Sequence, residues 1–146
     1  MKREEMVPEF DIDNFELSSL LCTGSVALDN HRLESANEEE YQTIAYISDL
    51  ILRKSRDIGE GRYHPFEDLF FWEFYGKEKI SRSELQKVCA DRLTILSEEL
   101  RAVRDMPSKE VEKTKSLTDI LLKLTRATQT YWVQQHPDGF KHYATA

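Results

Sequence analysis

A histidine and four carboxylates, Glu60, His64, Glu67, Asp68 and Glu73, gather in one short stretch of the chain. His64 with Glu67 and Asp68 at +3 and +4 puts three ligating side chains on adjacent positions of a helix start, where they can face one metal ion or one polar ligand. The same residues have a structural use. Pro65, with no amide hydrogen and a fixed φ, suits the first position of a helix, which makes His64 the N-cap. Glu67 and Asp68 then occupy the first turn, where the helix dipole favours negative charge. Both uses are open to these residue types.

Other routes to chemistry are thinner. No HExxH, P-loop, GxGxxG or GxSxG occurs. Cys22 and Cys89 are the only cysteines and lack metal-knuckle spacing, so they read as free thiols in a reducing cytoplasm. Cys89 falls on an apolar stripe and is expected to be inert, which leaves Cys22, beside Thr23 and Gly24, as the more reactive candidate. The net charge of −7 argues against a phosphate-binding surface, so nucleic acid is not an expected partner. No run of 18 apolar residues spans a membrane, and the charged start Met1-Lys2-Arg3-Glu4-Glu5-Met6 has no secretory h-region; the expected location is cytoplasmic.

Helices must position these groups. Residues 1–13, with Pro8 and several acids but no stripe, read as a poorly ordered lead-in, and residues 14–146 as one helical-bundle domain of ordinary size. Phe15, Leu17, Leu20, Leu21, Val26, Ala27 and Leu28 predict a first helix, in which Gly24 costs about 1 kcal/mol relative to alanine and marks a breaking point. Asn37 and Glu40 box the start of a second helix, with a stripe of Tyr41, Ile44, Ile47 or Ser48, and Ile51, ended by Gly59 and Gly61. The short helix after Pro65 is apolar on nearly all sides through Leu69-Phe70-Phe71-Trp72 and stops at Gly76, so it is either central or presents an aromatic edge to a partner.

Ser81 and Glu84 box the third long helix, with Leu85, Cys89, Leu93, Leu96, Leu100 and Val103 as its stripe and Pro107 as its close. Ser108 caps the last, with Val111, Leu117, Ile120 or Leu121, Leu124, Ala127 or Thr128, and Tyr131, up to Pro137-Asp138-Gly139. The predicted fold is all-α, an up-and-down four-helix bundle with an additional short aromatic helix. A globin-like crossing stays open, because periodicity does not set interhelical angles.

Tyr63-His64-Pro65-Phe66-Glu67-Asp68-Leu69-Phe70-Phe71 resembles the His-His-Pro-Lys-Glu-Asp-Leu-x-Phe signature of hemerythrin-like, HHE-type cation-binding domains, and the helix order is similar over roughly residues 14–136. The resemblance implies a four-helix bundle holding two iron ions through histidine and carboxylate ligands. This chain departs from the pattern at the ligands. Tyr63 stands at the first histidine of the pair, with Glu67 as the matching carboxylate; Ala90 stands at the third-helix histidine; and His136 and Asp138 match the last helix only after a shift of register. A full site takes about five histidines and two carboxylates, whereas this chain has His31, His64, His136 and His142. The metal ligands that remain are Tyr63, Glu67 and His136.

The reading is a non-catalytic module that binds a protein, a small ligand or a second copy of itself and has no cofactor. His64, Phe71, Trp72, Tyr75, Tyr131 and Trp132 are its candidate ligand or partner surface. One alternative is a redox enzyme or oxygen sensor with a reduced iron site. Another is an acidic nucleic-acid mimic that blocks a basic partner.

Overall fold

The computed structural model describes residues 13–33, 38–77, 79–103 and 111–138. The lead-in before Asp13, the caps at Asn37 and Ser108, the stop at Pro107, and Gly139 with the tail Phe140, Lys141, His142 and Tyr143 lie outside those residues. Among the described residues the elements are all α-helical: α1 (Asn14–Leu33), α2 (Glu38–Gly59), α3 (Pro65–Phe74), α4 (Arg82–Ala102) and α5 (Val111–Gln135). None is long and apolar enough to cross a membrane.

The helix ends follow local chemistry. Asp13, assigned to the lead-in on sequence, is the cap of α1, with its Oδ1 accepting the Glu16 amide at 2.8 Å. Gly61 at φ +94° closes α2. The Arg62 amide donates to the Asp57 carbonyl and the Gly61 amide to that of Ile58, each at 2.9 Å, and these paired bonds satisfy carbonyls the last turn would leave free. Ser81 and Glu84 exchange the reciprocal bonds of a capping box at the start of α4.

The long helices pack in antiparallel pairs. Phe15 at the start of α1 lies 5.0 Å from Trp132 at the end of α5, and Asn30 at the end of α1 donates to Glu40 at the start of α2 at 2.8 Å. Ser55 of α2 donates to the Ala90 carbonyl of α4 at 2.8 Å, while Asp49 pairs with Arg101 farther along. Close backbone packing joins α1 to α5 and α2, α2 to α4, and α3 to both α4 and α5; α4 and α5 barely approach one another. The α4 stripe Leu85, Cys89, Leu93, Leu96, Leu100 and Val103 is buried throughout, in one apolar core cluster with Leu21, Leu28, Leu50, Ile51 and Leu124 of the other long helices. Val26, expected inside, is 56% exposed.

Gly24 does not break α1, which runs through it unbroken. It lies at the junction of three helices. A Cβ there would sit 2.5 Å from Cδ1 of buried Ile47 in α2 and 3.4 Å from Cδ1 of Leu121 in α5, so the missing side chain is space the neighbours fill. Gly24→Ala in the native background should therefore lose the roughly 1 kcal/mol that alanine ordinarily contributes to a helix. In an Ile47→Val background, which removes the opposing methyl, urea denaturation should show that gain restored; identical effects in the two backgrounds would contradict the packing account.

Candidate functional site

The His64-to-Asp68 cluster forms at the start of α3. His64 is the N-cap in extended conformation, and its Nδ1 accepts the Phe66 amide at 3.3 Å. Glu67 reaches back so that Oε2 accepts the His64 amide at 3.0 Å, completing a capping box. The imidazole is buried edge-on against Phe66 at 4.4 Å, and its Nε2 has no hydrogen-bond partner among the described residues. Burial pushes its pKa down to about 3, with the charge of Lys54 adding to the effect. His64 is neutral at physiological pH and serves as a cap.

Glu67 is 1% exposed. The Arg82 guanidinium, the first residue of α4, stands 2.9 Å from its Oε1. The contact is an ion pair whose orientation falls short of a hydrogen bond, so Oε1 has charge compensation without an aligned donor. The same guanidinium lies 5.8 Å over the ring of Tyr63. The Tyr63 hydroxyl donates to Asp68, and its ring centroid is 5.7 Å from that of Tyr131 in α5. Burial first, and then Asp68, raise the phenol's pKa, so Tyr63 keeps its proton. Burial, reinforced by the charge of Glu67 and partly offset by Arg92, pushes the Cys89 thiol up to about 12, which makes it a poor nucleophile, as its stripe position suggested. Cys22 is exposed.

The three residues offered as metal ligands are engaged separately: Tyr63 with Asp68, Glu67 with Arg82 and the α3 cap, and His136 with Trp132. The His136 ring stacks on Trp132 at 4.5 Å and its Nδ1 lies 3.0 Å from the Trp132 carbonyl. Among the described residues no group of three or more His, Cys, Asp or Glu side chains could hold a metal ion.

The expected partner surface divides. His64 and Trp132 are buried, and Trp132 is wedged between Phe15 and His136. Tyr131 is half-buried and ties α5 to Tyr63. Phe71, Trp72 and Tyr75 are exposed, at 37%, 66% and 65%. Beside them, between α4 and α5, opens a groove of about 1010 Å³ lined by Leu69, Phe70, Leu93, Leu96, Ile120 and Leu124, with Trp72 also on its wall. No protein-family model, curated protein or solved structure matches the chain.

Sequence reasoning missed Arg82 and the groove. Arg82 carries one local sign: a cation at the first position of a helix opposes the helix dipole, a conflict that calls for a distant carboxylate. The groove has no such sign, because the apolar stripes of α4 and α5 read as core faces and periodicity does not say that the two helices stand apart.

Proposed function

We propose that the protein is a non-catalytic, up-and-down four-helix bundle, similar in layout to hemerythrin-like domains, that binds another protein through the outer face of α3. The antiparallel order α1, α2, α4, α5, with α3 lodged between the last two, supports the bundle reading. The signature at Tyr63 to Phe71 is used for helix capping and ion pairing, which supports a binding role over a metal-centred one.

A single observation carries the binding role. Phe71, Trp72 and Tyr75 lie 5.4 to 5.6 Å apart, centroid to centroid, packed edge-to-face or tilted against one another and exposed to solvent, with Trp72 at the edge of a groove. Water-exposed aromatic clusters of this kind are the usual centres of protein interfaces.

Trp72→Asp should leave urea stability within about 0.5 kcal/mol of the native protein, as expected for a surface position, while Phe70→Asp, one residue inside the shell, should unfold it. A photo-crosslinking amino acid at Tyr75 should trap one defined protein, or a second copy of this chain, in the native cells, and Trp72→Asp should abolish the adduct. The same group at exposed Glu112 should trap nothing. The absence of an α3-specific adduct would overturn the reading.

A further inference from the structure

Asp68, Phe71, Trp72 and Tyr75 follow one another at i, i+3, i+4 and i+7, so they form a single stripe along α3 as far as its C-cap, and all four are exposed. A stripe of that spacing is ordinarily the side a helix turns to its own core. Here Pro65, Phe66, Glu67 and Phe70 supply the buried side instead, and the aromatic stripe faces outward.

The two ends of the stripe carry opposite charges. At its start, Asp68 accepts the Tyr63 hydroxyl through Oδ2 but has no cationic partner among the described residues. Past its end, beyond the turn at Gly76 with φ +84°, Lys77 is exposed and likewise forms no ion pair with another described residue. Glu73 on the flank is already paired with Arg92 at 2.5 Å.

An apolar stripe with an unpaired carboxylate at one end and an unpaired ammonium at the other is complementary to its own reverse. Laid antiparallel about the midpoint between Phe71 and Trp72, two such stripes set each Phe71 against the second copy's Trp72. The same register brings each Asp68 against the second copy's Tyr75, with Lys77 just beyond it. Two-fold symmetry makes every one of these contacts twice. The net charge of −7 opposes this little at physiological salt, because charges more than about 8 Å from the contact are largely screened. One short helix from each copy makes a small interface, so the association is reversible and concentration-dependent.

Resting on the binding role proposed for α3, we propose that the occupant of this face is a second copy of the chain, docked α3 to α3 in antiparallel register. Phe71, Trp72 and Tyr75 form the centre of the contact, and Asp68 of each copy pairs with Lys77 of the other.

Sedimentation equilibrium on the purified full chain tests this. The chain should dimerise with a dissociation constant on the order of 10 µM, and Trp72→Asp should weaken the dimer by about tenfold or more. Lys77→Glu, at an exposed position outside the helices, turns both ion pairs into repulsions and should also weaken it by about tenfold or more. Asp68→Lys should do the same, with native helicity checked by circular dichroism because the hydrogen bond from Tyr63 is lost. Mixed in equal amounts, the Lys77→Glu and Asp68→Lys chains should bind each other about as tightly as native copies do, since only the mixed pair sets opposite charges across both contacts. If Asp68→Lys does not fold, the Lys77→Glu constant decides alone. A chain that is monomeric at about 200 µM, a dimer indifferent to Trp72→Asp and Lys77→Glu, or folded variants that do not rescue one another would overturn the proposal. In cells the Tyr75 crosslinker should give an adduct of twice the chain's mass. An adduct with a different protein overturns the second copy alone, whereas no adduct at all overturns the binding role beneath it.

Discussion

Lowering the pH from 6.5 to 4.5 will cost the fold about 2 kcal/mol through His64 alone. In the folded state burial, helped by Lys54, holds this imidazole near pKa 3, while in the unfolded chain it titrates near the ordinary value of about 6.5. Between those values the unfolded state binds the extra proton, so stability falls as pH falls, at about 1.4 kcal/mol per pH unit. The contribution is fully present only above about pH 7.5. His64→Asn separates titration from capping, because the asparagine carbonyl can accept the Phe66 amide as Nδ1 does but carries no proton-binding site in this range. The variant should be about 1 kcal/mol less stable at pH 7 for want of ring packing on Phe66, and its urea-unfolding free energy should decline much less steeply below pH 6.5. Parallel pH profiles for the two proteins would refute the assignment.

Glu67→Ala should destabilise the protein by about 3 kcal/mol, since it empties a buried volume and strips the His64 amide of its acceptor. Arg82 returns to water at little cost, because its side chain is already 62% exposed. Removing the other partner acts differently. Arg82→Met leaves a buried carboxylate without its cation and should cost about 1 to 2 kcal/mol, discounted from the usual value for a buried pair because solvent reaches the guanidinium. Glu67→Gln keeps the volume and an acceptor for the cap, and should cost about 1 kcal/mol. Combining Glu67→Gln with Arg82→Met should cost less than the two singly by about 1 kcal/mol, measured from urea midpoints. Simple additivity would mean that the ion pair contributes nothing to joining α3 and α4.

The reach of sequence reasoning differs from residue to residue. The cap at His64, the box at Ser81 and the glycine stop at Gly61 depend on groups a few residues apart, and each is used as expected. The α4 stripe was legible for a related reason, since a helix repeats every 3.6 residues and displays its buried face in its own spacing. Gly24 shows where such reasoning ends. Its propensity cost is local and unfavourable, yet α1 runs through it because Ile47 and Leu121, far away in the chain, occupy the space a side chain would need. Trp132 and Tyr75 show the same limit, being comparable aromatic residues of which one is packed against Phe15 and the other lies in solvent.

The opening cluster divides along this line. By itself the sequence determined that α3 starts at His64-Pro65, that Glu67 and Asp68 fall in its first turn, and that a dense aromatic face follows, because backbone geometry and hydrogen-bonding range settle such matters over three or four residues. Only the tertiary structure decided that Glu67 answers to Arg82, that the Tyr63 ring packs beside Tyr131, and that α4 and α5 stand far enough apart to leave a groove beside Trp72. Those outcomes depend on how helices distant in sequence approach one another, and helical periodicity sets which face of a helix is apolar without setting what lies opposite it.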